Sequence, residues 1–186
     1  LSHVSPVDDW HKESGRVYRI VPEGGLPAYG EGDLNERDTE DLISCLQHPN
    51  KWVRQRATLE LGWRGDKAPV EKLTELVDQG SLEALWVINL LKELSDDRAA
   101  KWLQSSNADI RRWVIRLLGD QHRAHEALID VAKDEPDVQV RSQLAATAKR
   151  IDAKVAMPII RSLLTKDADA NDPQIPLMIW WALEGQ

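Results

Sequence analysis

His122 and His125 stand three residues apart with Asp120 and Glu126 beside them. Imidazole and carboxylate at that spacing are donors a divalent metal takes. They fall, however, at a turn and the opening of a helix, where the same residue types are ordinary solvated groups. Asp96-Asp97 has the composition of an acid/base pair. Placed at the start of a helical run, it also suits the exposed N–H groups of a first turn, and capping is the expected role. Cys45 follows Leu42 at helical spacing and reads as a small buried residue rather than a reactive thiol. A single cysteine excludes an intrachain disulfide and a thiolate cluster. The sequence has no His-Glu-x-x-His, no glycine-rich phosphate loop and no Gly-x-Ser-x-Gly turn. Catalytic residues, cofactor ligands and metal ligands are therefore all assigned as none.

The arginines are more informative. Arg54, Arg111 and Arg141 each follow Val or Ile, and each comes after a turn signal: His48-Pro49-Asn50, Ser105-Ser106-Asn107 and Glu135-Pro136-Asp137. They are 57 and 30 residues apart, and 57 divides into two units if a helix beginning near Ser81 is inserted. Such a period predicts stacked helical hairpins of about 30 residues. Two roles are open to these arginines. They can form a ladder, paired with Asp residues of adjacent hairpins such as Asp66, Asp109 and Asp137. Alternatively, with Arg112, they can line a concave surface that receives an acidic protein or peptide.

Charge is sorted along the chain in a way that bears on the second role. The total is −7, yet the five segments read as inner helices sum to +6 and the remainder to −13. An acidic surround repels phosphate, so nucleic acid is an unlikely partner. No run approaches the roughly 18 apolar residues of a membrane span, and no membrane partner is expected.

Helical stripes supply the elements that hold these residues. Ala124, Ala127, Leu128, Val131 and Ala132 recur at i, i+3, i+4, i+7 and i+8, as do Ala156, Ile159, Ile160, Leu163 and Leu164. Residues 84–91 are apolar nearly all round, as a helix covered on several sides must be. Five hairpins are expected at 39–65, 68–94, 96–120, 123–151 and 153–185, with Pro158 kinking the fifth outer helix or marking its first turn. The fold class is thus all-α, a right-handed α-solenoid of about five short hairpins. Eight Trp and no Phe make indole the packing aromatic, and buried indole N–H groups will need partners.

Residues 1–37 differ, holding an alternating run, Arg16-Val17-Tyr18-Arg19-Ile20, that reads as a β-strand. They are expected to be the remnant of a preceding β domain plus a linker, with the repeat domain at 38–186. The chain opens at Leu1 with neither an initiator Met nor a signal-peptide pattern, and it reads as a piece of a larger protein.

The run His48-Pro49-Asn50-Lys51-Trp52-Val53-Arg54-Gln55-Arg56-Ala57 and its counterpart Asp109-Ile110-Arg111-Arg112-Trp113-Val114-Ile115-Arg116-Leu117-Leu118-Gly119-Asp120 resemble the HEAT-like repeat. The order of segments resembles a family of large exported proteins of planctomycete-type bacteria. These carry a sugar-dehydrogenase-like β-propeller, then HEAT-like repeats, then a c-type cytochrome domain. Gly15-Arg16-Val17-Tyr18-Arg19-Ile20 is similar to the last propeller strand of that family. Asp172-Pro173-Gln174-Ile175-Pro176-Leu177-Met178-Ile179-Trp180-Trp181-Ala182-Leu183-Glu184 is similar to the segment closing its repeats. The resemblance implies a non-enzymatic scaffold between propeller and electron-transfer domain, in an exported, periplasmic parent. No Cys-x-x-Cys-His motif occurs, so haem chemistry lies elsewhere in such a parent. The alternative is an enzyme of HEAT-like fold, resembling a DNA glycosylase or a bilin lyase.

The final helix adds one expectation. Ile175, Met178, Ile179, Ala182 and Leu183 form one apolar stripe, which leaves Leu177, Trp180 and Trp181 on the opposite side. A terminal helix normally turns a polar face outward. Leu177, Trp180 and Trp181 are therefore read as a docking surface for adjacent protein or for a second copy of the chain.

Overall fold

The computed structural model describes residues 23–24 and 32–186. The expected strand at residues 16–20 lies outside them. Contacts divide the chain into two units, Leu1–Gly32 and Asp33–Gln186. All regular structure of the second unit is helical. Its ten α-helices are α1 (Thr39–Cys45), α2 (Lys51–Arg64), α3 (Val70–Asp78), α4 (Leu82–Leu90), α5 (Asp96–Leu103), α6 (Ala108–Asp120), α7 (Ala127–Asp134), α8 (Val138–Ala148), α9 (Ala153–Leu164) and α10 (Ile175–Glu184). One 3-10 turn, Leu34–Glu36, precedes α1, and another, Asp167–Asp169, separates α9 from α10.

Polar residues at the turns set where the helices begin. Asn50, Asn107 and Asp137 cap α2, α6 and α8, each accepting from the N–H two residues on, at 3.0, 2.9 and 2.8 Å. These satisfy donors that the first turn leaves without partners. At α5 the cap is Ser95, which accepts from the Arg98 N–H. Asp96 and Asp97 lie just inside, in the first turn, so they adjoin the cap rather than form it. Their charge still complements the helix N-terminus. Helix α9 runs through Pro158, its sixth residue, rather than starting there.

Even-numbered helices pack on one another in succession, α2 on α4, α4 on α6, α6 on α8 and α8 on α10, and each consecutive odd–even pair packs as a hairpin. One continuous apolar core runs between the two sets. Helix α4, apolar nearly all round, buries Ala84, Leu85, Val87 and Ile88 against α2, α3 and α6. Close approach between even helices depends on glycine. A Cβ at Gly62 would come 2.7 Å from Leu90 Cδ1, and one at Gly119 would come 2.8 Å from Thr147 Oγ1. Cys45 is buried, with the Arg37 guanidinium 3.4 Å from its sulfur.

Candidate functional site

The fourth residue of α2, α6 and α8 is arginine: Arg54, Arg111 and Arg141. In every case one Nη donates to two carbonyls of the preceding turn. Arg54 reaches those of His48 and Pro49, Arg111 those of Ser105 and Ser106, and Arg141 those of Glu135 and Pro136. The rest of the guanidinium turns toward the following hairpin. Arg111 forks onto Glu135 at 2.8 and 2.6 Å, Arg141 forks onto Asp169 at 2.6 and 2.6 Å, and Arg54 meets Glu83 through Nε at 2.7 Å. Side-chain exposure is 12% and 2% for Arg111–Glu135, and 9% and 5% for Arg141–Asp169. Hydrogen bonds to those carboxylates, acting against the cost of burial, hold both guanidinium groups above their ordinary pKa.

A ladder therefore exists, but not with the expected carboxylates. Asp66 accepts from the Ala68 N–H, Asp109 pairs with Arg112 at 2.8 Å, and Asp137 caps α8. The reason is geometric. An arginine in the first turn of a helix points past its own hairpin, and the start of the next even helix lies within its reach. Glu83, Glu135 and Asp169, 29, 24 and 28 residues downstream, occupy that place. Only the repeat of about 30 residues could have singled them out from sequence.

The remaining candidates lie elsewhere. Arg112 is half-exposed on α6. Leu177, Trp180 and Trp181 are exposed on α10. Leu183 departs from the stripe assigned to it: Ile175, Ile179 and Ala182 are buried, whereas Leu183 joins the exposed side. The seven candidates thus do not converge. Three sit inside hairpin junctions and four lie on open helix faces.

A surface pattern emerges that residue types alone do not show. Among the described residues, nine of the ten exposed large apolar side chains belong to even-numbered helices, including Trp52, Leu59 and Trp63 of α2 and Leu90 of α4. Cations lie over three indoles there: Arg56 over Trp63 at 4.8 Å, Arg116 over Trp113 at 5.0 Å and Lys149 over Trp181 at 5.7 Å. Trp113 also meets Trp86 edge-on at 4.9 Å. The odd helices instead expose charge, as at Glu40, Lys72, Lys101, Asp130 and Lys133, joined in pairs such as Lys101–Asp78 at 2.6 Å.

His122 and His125 point to different partners, the carbonyls of Arg150 and Asp96. Among the described residues no group of three or more His, Cys, Asp or Glu is placed to hold a metal ion. Two open depressions of about 420 and 430 Å³ carry charge at their walls. Their charged groups are engaged with neighbours, Arg111 with Glu135 in one and Arg123 with Asp96 in the other. Among the described residues no helix is long and apolar enough to cross a membrane. No family model, curated protein or solved structure matches the chain.

Proposed function

We propose that residues 38–186 form a right-handed α-solenoid of five HEAT-like hairpins serving as a non-enzymatic scaffold and protein-interaction module. The observation that carries this reading is the segregation of exposed apolar side chains onto the even-numbered helices, with cations stacked over three of their tryptophans. Indole and guanidinium are the side chains most enriched where protein interfaces concentrate their energy. Exposed apolar groups gathered on one set of helices suit contact better than scattered ones would. The partner that matches is a protein segment combining acidic and apolar residues. In a parent of the kind the resemblance describes, the array would also hold a propeller and an electron-transfer domain in fixed relation, outside the cytoplasm.

Selection from a random peptide display library against the chain tests this. Acidic, aromatic-containing peptides should be enriched, and the double variant R112E/R116E should lose them. Enrichment of basic peptides, or binding indifferent to that double variant, would refute the reading.

A further inference from the structure

The register shared by the even helices makes the two ends of the array directly comparable. Counting Lys51, Ala108 and Val138 as first positions, the fourth, eighth and twelfth positions face the following hairpin. Arg111 reaches Glu135, the Ile115 carbonyl accepts from Thr147, and Gly119 lies against Thr147 and Arg150. In α2 the corresponding residues are Arg54 on Glu83 and Gly62 against Leu90. The eighth-position residues Thr58, Ile115 and Ala145 are buried there. Aligning buried Ile175 and Ile179 of α10 with Val140 and Leu144 of α8 puts Pro176, Trp180 and Glu184 at those positions. Trp180 is 59% exposed, with Leu183 and Leu177 exposed beside it.

The leading end is different in kind. On α2 the sixth, tenth and fourteenth positions are Arg56, Glu60 and Arg64, two of which hold the turn at Leu34–Glu36. Arg56 donates to Asn35 Oδ1 at 2.7 Å and Arg64 to the Asn35 carbonyl at 2.9 Å, and Leu34 is buried. That end is charged and covered, and the trailing end is apolar and open. Head-to-tail stacking of two copies would press apolar indole onto guanidinium and carboxylate already in use.

We infer that the trailing face of α10, centred on Trp180, is a two-fold interface with a second copy of this chain. A two-fold contact sets the same patch against itself, and this patch suits it because its centre is apolar. The charges near its rim, Lys149 and Glu184, are of opposite sign, and neither has an ion-pair partner among the described residues. Leu177, Trp180, Trp181 and Leu183 expose on the order of 400 Å² per copy, taking ~250 Å² for a whole indole side chain. That is about half of what a standard interface buries per partner, which places the dimer in the weak, reversible class. It forms whether or not the even-helix face takes another partner.

Sedimentation equilibrium of the full chain from about 5 to about 500 µM tests this, with a dissociation constant expected in the tens of micromolar. Trp180→Glu and, separately, Leu183→Lys should leave a monomer throughout that range with an unchanged helical circular dichroism spectrum. Trp63→Glu, which alters an equally exposed tryptophan on α2, should leave association intact. A wild-type chain that stays monomeric at the highest concentration overturns the inference. So does association that survives both α10 substitutions, or that Trp63→Glu abolishes.

Discussion

Successive hairpins of this chain are joined in two ways. Where α6 meets α8 and α8 meets α10, a buried arginine forks onto a carboxylate of the next hairpin and grips two carbonyls of its own turn. Where α4 meets α6, the fourth helix residue is Leu85, and no such rung can form. In its place Trp86 and Trp113 meet edge-on, and the Trp86 indole N–H is buried without a hydrogen-bond partner. Polar fastening at that junction moves to the odd helices. Arg98 of α5 reaches Glu71 of α3, and Lys101 and Trp102 both bond Asp78. The difference teaches that one fold repeat can be closed either by a buried polar clamp or by aromatic packing with an exposed clamp. The two respond differently to substitution.

The largest effect should come from the rungs. In Arg141→Ala, Asp169 and two turn carbonyls lose their partner out of water, an arrangement that costs about 3–5 kcal/mol. Arg111→Ala should fall in the same range. Arg54→Ala should lose only about 1–2 kcal/mol, because its single contact to Glu83 is more open to solvent. Urea denaturation of the three variants measures the series. Equal losses at all three would erase the distinction between buried and half-open rungs.

Next is the close approach between helices. Gly119→Ala gains up to about 1 kcal/mol of helix propensity. It also drives a methyl into Thr147, which is buried and hydrogen-bonded to the Ile115 carbonyl, at a cost of about 1–3 kcal/mol. A net destabilisation is expected. At Gly62 the obstacle is exposed Leu90, which can yield, so Gly62→Ala should cost less. Thermal melts of the pair decide the order.

The tryptophans separate the two closures more finely. Trp86→Phe removes an N–H that has no partner, and stability should stay level or rise by up to about 1 kcal/mol. Trp102→Phe takes a donor from Asp78 at a nearly fully buried site and should cost about 1–2 kcal/mol. A large loss at Trp86 would mean that its N–H does find a partner in solution.

The same contrasts separate what is legible in the sequence from what is not. Helical period and turn chemistry locate all ten helices, because Asn50, Asn107 and Asp137 act within two or three residues of themselves. The arginines stand out for the same reason, being fixed relative to a local turn. Their carboxylates do not, since Glu83, Glu135 and Asp169 are brought close only by stacking, and Asp109 and Asp137 compete as nearer acids. The cation–indole pairs divide in the same way. Arg56–Trp63 and Arg116–Trp113 lie within single helices, whereas Lys149–Trp181 joins α8 to α10 and needs the tertiary fold. Leu183 is placed inward by an i+8 rule that takes no account of how little covers a terminal helix.

The smallest effect concerns acid, and it tests the junction without a buried rung. Burial works to raise the Asp78 pKa, but hydrogen bonds from Lys101 and Trp102, with the Lys101 charge, outweigh it, so the folded value lies below the ordinary carboxylate range. A group depressed in the folded state adds stability above its unfolded pKa and loses it as pH falls through the folded one. The contribution should therefore be complete above about pH 5 and decline below about pH 4. Asp78 is partly open to solvent, so a few tenths of a kcal/mol is the expected size. Asp78→Asn should narrow the gap to wild type as pH drops from about 5 to about 2, in chemical denaturation at each pH. Raising salt at pH 7 should weaken the Lys101 pairing but leave the hydrogen bond from Trp102. A gap that widens on acidification would show that Asp78 is not the carboxylate fastening α3 to α5.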